Sequence, residues 1–327
     1  MRRHITSPLV LSHPATFRPA RFFYRLKEQA WLQVFALLGF AYIVLFNLVP
    51  MYGILMAFKN YKLNMGISGI FTADWVGFKH FRTFFNEYLF GQLLRNTLVL
   101  SILKMIFCFP IPILLAIALQ EMRNQRFKKL VQTVSYMPHF ISWVVCLGIA
   151  KALFSTELGV VQDVLTSLGL NKVPLLTDPK YFWGFSVIMS AWKSSGWWAI
   201  IFLAAIMGID PQLYEAAIVD GAGRLKRIWH VTLPGMRGTI VTTLILSIGS
   251  FLGGGMVGSN FEQSYLFGNQ MNYETAEIIQ VYAFKVGLKN GQVAYATAIS
   301  VVESMVSLVL IFCSNFISKK LVGTGLF

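Results

Sequence analysis

From Ala30 to Phe58 the chain runs through 29 residues without one charged side chain. About 20 mostly apolar residues are enough for a helix to cross the roughly 30 Å hydrocarbon core of a bilayer. With no water at that depth to bond its peptide groups, such a segment has to be helical. Five further stretches read the same way: about 96–120, interrupted by Lys104 and expected to bend at Pro110 and Pro112; about 130–154, with Pro138 and His139 near its start and Lys151 near its end; about 181–208, containing Lys193; 238–261, uncharged; and about 290–318, with Glu303 as its one charge. The expected fold class is therefore all-α, a polytopic membrane protein with six transmembrane helices.

Composition agrees. Of the 327 residues, 56% are hydrophobic and only 13% charged, against roughly 25% charged in soluble domains. This excludes a disordered chain and a disulfide scaffold, and argues against a soluble enzyme. The net charge of +14 first raises nucleic acid as a partner. Sorted by side of the six spans, however, 16 of the 28 Lys and Arg fall with the termini and 9 on the opposite side. The positive-inside rule then places both termini in the cytoplasm, and a basic face toward anionic lipid accounts for the charge without nucleic acid.

Cys108, Cys146 and Cys313 lie far apart in apolar stretches and read as buried thiols acting as small hydrophobes. No signal peptide is evident. Residues 1–30 read as a basic leader whose segment from Phe17 to Gln29 is either an interfacial amphipathic helix or a plain anchor. Residues 31–327 read as one membrane domain.

The loop from Gly208 to Gly238 is the most informative. Asp210 is a good N-cap, Pro211 suits the first helical position, and Gly221 falls where a left-handed cap wants glycine. A helix over Leu213–Val219 is predicted, then a second over about 224–231, ending before Pro234. Tyr214, Ala217, Ile218 and Gly221 share one face, and Ala216, Ala217, Gly221, Ala222 and Gly223 are small. By this physics the loop either caps its own bundle or admits another body closely.

Glu215-Ala216-Ala217, three residues, Gly221, nine residues, then Val231-Thr232-Leu233-Pro234 resembles the EAA loop of ABC-importer permeases, whose pattern is EAA, three residues, G, nine residues, I-x-L-P. Val231 for isoleucine is the one departure, and it is conservative. Within that superfamily the chain is similar to carbohydrate-import permeases, and more narrowly to the group that includes LplB-type polysaccharide permeases and the alginate-importer permease. The segments Tyr136–Trp143, Trp192–Trp197, Phe261–Gln263 and Ile317–Leu321 carry this, and the resemblance covers about Trp31 to the C-terminus.

The resemblance implies a multi-pass protein of the bacterial cytoplasmic (inner) membrane. It implies a coupling helix that docks on a cytoplasmic ATPase, with Tyr214, Glu215, Ala216, Ala217, Asp220, Gly221, Leu233 and Pro234 as the docking set. It also implies partners: a second homologous permease forming a heterodimer, two ABC ATPase subunits, an extracytoplasmic solute-binding protein and a saccharide substrate. No G-x-x-x-x-G-K-[ST] occurs in the chain, so ATP and Mg belong to the ATPase subunits and this chain carries no cofactor and no catalysis.

Polar groups within spans are the candidates for the substrate path. Trp192, Lys193, Ser194, Trp197 and Trp198 offer aromatic faces and hydrogen-bonding groups suited to sugar rings, or they are interface aromatics with a snorkelling lysine. The glycine-rich fifth span leads into Asn260, Phe261, Glu262 and Gln263. It either unwinds to line a cavity or packs closely through small residues. Glu303 is expected to pair with a neighbouring polar group, His139 to be structural, and Lys104 and Lys151 to reach either interface. Three lysines against one glutamate within the spans suggest a path that takes an acidic saccharide. An ion-coupled secondary transporter or channel is the alternative, but it would need paired acidic residues where only Glu303 is available. A membrane enzyme would need a catalytic motif such as HExxH, which is absent.

Overall fold

The computed structural model describes residues 29–323; the leader segment Phe17–Gln29 lies outside the described residues apart from Gln29. The chain divides into two compact units, residues 1–53 and 54–327. The described part of the first unit is a helix, α1 (Ala30–Phe58), whose last residues enter the second unit. It loosens to a π turn at Val44–Leu48 and to 3₁₀ geometry from Val49, and none of the side chains from 30 to 53 is buried. A helix apolar on every face suits a lipid surrounding.

The second unit is helical throughout, with one isolated antiparallel bridge between Lys59 and Trp75 as its only extended pairing among the described residues. After a short helix α2 (Lys79–Phe85) come α3 (Phe90–Glu121), α4 (Gln125–Phe140), α5 (Trp143–Phe154), α6 (Val160–Ser167) and α7 (Pro179–Met207). Then follow α8 (Pro211–Val219), α9 (Arg224–Gly235), α10 (Arg237–Gly249), α11 (Asn260–Phe267), α12 (Ile279–Phe284) and α13 (Val293–Val322). Among the described residues, four helices are long and apolar enough to cross a membrane. The number rises to six if the bent pairs α4–α5 and α9–α10 each count as one span.

Three spans are shaped by their prolines and glycines. In the second span the α-helix is interrupted at Phe109, directly before Pro110, but Phe109 keeps helical angles and α3 counts as one 32-residue span. Pro110 and Pro112 occupy the first turn after Phe109, where a missing N–H is least costly. The third span is not straight, because α4 and α5 meet at 107°. Pro138 starts a 3₁₀ turn, Ile141 is extended, and Ser142 caps α5 by accepting from the Val145 N–H at 3.3 Å. The fifth span ends as a helix at Gly249, and its remainder is a knot of two 3₁₀ turns.

Helix α7 is the axis of packing. Near its C-terminal end, Phe202, Leu203 and Ile206 bury against Ala116 and Leu119 of α3 and against Met236. Toward its N-terminal end, Phe182, Phe185 and Met189 meet Trp143, Cys146 and Ala150 of α5 and Phe267 of α11. With 29 residues at 1.5 Å each, α7 holds the loops at its two ends ~40 Å apart, with the two clusters between them. Cys108 and Cys146 are buried as expected, whereas Cys313 is exposed on α13.

Candidate coupling surface and substrate cavity

At the C-terminal end of α7 the chain turns into a helical hairpin. Asp210 accepts from the Gln212 N–H at 2.9 Å, and Pro211 opens α8. The helix stops at Asp220, and Gly221 takes φ +73°, a left-handed conformation that costs little only without a Cβ. The second helix differs from expectation. It does not end before Pro234 but continues to Gly235, because a π turn at Ile228–Thr232 widens the ladder just where proline withdraws its N–H.

Most of α8 stands exposed: Leu213, Glu215, Ala216, Ile218, Val219 and Asp220, with Val219 at 87%. Gly221 and Pro234 are exposed, while Ala217 and Leu233 are half-buried. The Tyr214 hydroxyl lies 3.1 Å from the buried Thr232 hydroxyl, a strut between α8 and α9. Arg224 of α9 reaches Glu121 at the end of α3 at 3.8 Å.

The two buried lysines sit at the two breaks. Lys193, 7% exposed, donates to the carbonyl of His139 at 2.8 Å and lies 5.6 Å from the Trp143 ring centroid. That carbonyl belongs to the turn between α4 and α5. Trp197 stacks flat on the His139 ring at 4.5 Å. Lys104, 1% exposed, donates to the carbonyl of Gly258 at 3.2 Å in the fifth-span knot. It reaches neither interface, which corrects the expectation for this residue. Breaking a helix at membrane depth frees carbonyls that lipid cannot satisfy, and an ammonium is the strongest available donor.

The knot is closed by further polar contacts. Ser247 Oγ accepts from the Met256 N–H at 2.7 Å, and Asn260 Nδ2 donates to Ser101 Oγ and to the Leu252 carbonyl, each at 3.0 Å. Gly254 has φ +104°, and a Cβ there would stand 2.5 Å from the Gly258 oxygen. Ser259 is the one non-glycine with positive φ, at 67°, among the described residues, and its hydroxyl donates to Glu262 at 2.9 Å.

The outer side of the knot walls a cavity of about 680 Å³. Gly253, Ser259, Phe261 and Glu262 form one side; Gln280, Phe284, Thr297, Ser300 and Glu303 form the others. The Gln280 amide donates to the Glu303 carboxylate, and its own oxygen has no partner among the described residues. Phe261, Tyr265 and Phe284 pack ring to ring with centroids 5.2–5.6 Å apart. The cavity thus joins hydroxyl, amide and carboxylate groups to an aromatic wall, the mixture that holds polyhydroxylated rings.

Of the path residues expected from sequence, Phe261 and Glu262 line this cavity. Asn260 and Gln263 are fully buried behind it, Gln263 bridging Ser190 and the Ser186 carbonyl at 3.1 Å each. Trp192 borders a separate apolar cavity of about 420 Å³ beside α4, and Trp198 a small one of about 170 Å³ beside α10. Ser194 is buried. Gln280, Thr297 and Ser300 carried no sequence signal, because single polar residues in an apolar stretch reveal their facing only after folding.

An all-helical chain with several helices fit to cross a membrane, two of the candidate spans bent, is a polytopic membrane protein in class. Residues 108–322 match the model of the binding-protein-dependent transport system inner membrane component, and the chain belongs to that family. It is 42% identical over 302 residues to Protein LplB of Bacillus subtilis, covering 92% of each chain. It is also 42% identical over 307 residues to the polygalacturonan/rhamnogalacturonan transport system permease protein YteP of the same organism, covering 94% of this chain and 93% of that one. Among solved structures it superposes with TM-score 0.84 and 36% identity on a chain of a bacterial alginate ABC transporter in complex with an alginate pentasaccharide-bound periplasmic protein, covering 94% of this chain and 100% of that one. The protein is thus a multi-pass permease subunit of an ABC importer and not an enzyme; ATP hydrolysis belongs to separate subunits. An ion-coupled transporter or channel is not what these relatives describe.

Proposed function

We propose that this chain is one of two permeases in an importer that moves an oligosaccharide or polysaccharide across the bacterial cytoplasmic membrane. A solute-binding protein delivers the saccharide outside, and two ATPases, which hold ATP and Mg, drive the permeases between outward and inward openings. The similarity to the alginate transporter chain over nearly the whole length carries this reading. Both it and YteP are described by the acidic polysaccharides they handle, which supports an acidic saccharide here.

In this reading residues 31–327 form six spans, with α4–α5 serving as one and α10 with the knot after it as the fifth, and both termini are cytoplasmic. Helix α8 is the coupling helix. Glu215, Ala216, Ala217, Asp220 and Gly221 dock on the ATPase; Tyr214, with Leu233 and Pro234, holds the hairpin in place. The 680 Å³ cavity is this chain's share of the path. Phe261 and Glu262 form one side and Gln280 and Glu303 the other, while the Trp192–Trp198 segment keeps the third-span break in shape.

The test is affinity purification with the tag on this chain, followed by reconstitution with the binding protein. Recovery of a second permease and two copies of an ATPase, with ATP-dependent uptake of a saccharide, is the expected result. A chain that purifies alone and moves solute on an ion gradient overturns it.

A further inference from the structure

Lys151 is unlike the other two lysines of the spans. Lys104 and Lys193 are spent on carbonyls, whereas the Lys151 ammonium has no partner among the described residues and borders a cavity of about 410 Å³ at the end of α5. Ser155, Thr156 and Thr177 line the same cavity with hydroxyls that are equally unengaged among the described residues, and Leu158 and Leu176 supply apolar edges. No carboxylate lines it. Glu157 is not among the lining residues, and Asp178 caps α7, accepting from the Lys180 N–H at 2.8 Å.

The walls are fixed from behind. Gln162, fully buried, donates to the carbonyls of Phe154 at 3.3 Å and Val173 at 2.7 Å and accepts from the Val173 N–H at 2.9 Å. Lys172 holds the Thr156 carbonyl at 3.1 Å. Asn269 and Asn272 both donate to the Leu176 carbonyl, at 2.9 and 3.0 Å. A pre-shaped concavity of this size with one cation, three free hydroxyls and apolar edges fits a sugar ring that bears an anionic group.

We propose that this cavity is a subsite for the carboxylate of an acidic saccharide, with Lys151 pairing the charge and Ser155, Thr156 and Thr177 bonding ring hydroxyls. This rests on the saccharide-import reading and on its orientation, which puts this end of α7 outside, where the binding protein releases its load. The site is separate from the 680 Å³ cavity, whose charged residues are Glu262 and Glu303. The chain would thus recognise the acid group at its entrance and the hydroxyl faces deeper in.

The experiment uses the assembled transporter in nanodiscs of zwitterionic phosphatidylcholine, titrated calorimetrically with tetragalacturonate and with neutral maltotetraose. Tetragalacturonate should bind the parent. Lys151→Gln should weaken that binding about tenfold, as expected for a lost charge-assisted bond. Lys151→Arg should preserve it, and maltotetraose should not distinguish the three. Equal tetragalacturonate binding by the parent and Lys151→Gln, no binding by the parent, or equal weakening toward maltotetraose each overturns the subsite. So does loss of tetragalacturonate binding by the parent in phosphatidylglycerol nanodiscs, which would assign the cavity to a lipid phosphate. Uptake by proteoliposomes with the binding protein separates the two readings. If no saccharide enters, saccharide import itself fails; if uptake is intact and indifferent to Lys151→Gln, only the subsite fails.

Discussion

An ammonium inside a bilayer has to find an acceptor, and Lys104 finds a peptide carbonyl freed by a broken helix. In Lys104→Met the stem stays and the donor goes, leaving the Gly258 carbonyl without it. An unsatisfied buried carbonyl costs about 1–3 kcal/mol, but removing a buried charge returns part of that. The net change should be local rather than global. Melting of the solubilised protein should move by no more than a few degrees, while amide exchange over residues 254–260 accelerates at least several-fold. Unchanged exchange there would show that the lysine does not hold the knot. Gly254→Ala should act more strongly, because φ +104° and a Cβ 2.5 Å from the Gly258 oxygen leave no adjustment confined to one side chain. About 2–3 kcal/mol of lost stability is expected, read as a lower melting temperature.

At the scale of elements, what could be read from sequence divides by the range of the forces involved. Asp210, Pro211 and Gly221 set the limits of α8 through contacts within a few residues, so its start and its left-handed stop were legible. The run of α9 through Pro234 was not, because a π turn absorbs the proline and nothing in the composition of Ile228–Thr232 announces one. The 107° bend between α4 and α5 was hinted at by Pro138, but its size depends on Lys193 and Trp197, which are some fifty residues distant and meet the turn only after folding. Likewise the pattern named Phe261 and Glu262 as lining residues, while Gln280 and Ser300 required the packing of α12 against α13. Helix α8 offers the clearest element-level test. Ile218 is 55% exposed and Val219 87%, with no structural duty within the described residues. Ile218→Glu should leave stability within about 0.5 kcal/mol, as for other surface changes. It should reduce ATP-driven uptake at least tenfold by placing a charge in a packed interface. Full uptake by this variant, measured beside wild-type expression, would remove α8 from the coupling role.

For the whole molecule, the sparse charge becomes orientation. A chain with 13% charged residues and a net charge of +14 can place its cations on one side of a membrane or spread them over both. The loops at the C-terminal end of α7 carry Arg224, Lys226, Arg227 and Arg237, and the loop after α3 adds Arg123 and the basic start of α4, Arg126, Lys128 and Lys129. The opposite end of α7 adjoins only Lys172 and Lys180 in its loop. Because α7 separates the two ends by ~40 Å, a water-soluble reagent outside the cell can reach only one of them. In a background with Cys108, Cys146 and Cys313 replaced by Ala, Glu157→Cys and Val219→Cys place single thiols at exposed positions on the two ends. A membrane-impermeant maleimide should label the thiol at position 157 in intact spheroplasts and the one at 219 only after permeabilisation. The positive-inside bias then orients the protein, and the same result places α8 beside cytoplasmic ATPases and the Lys151 cavity beside the binding protein. The reverse labelling would invert the molecule. It would dismiss coupling through α8 and an outer saccharide subsite together, since both depend on which end of α7 meets the cytoplasm.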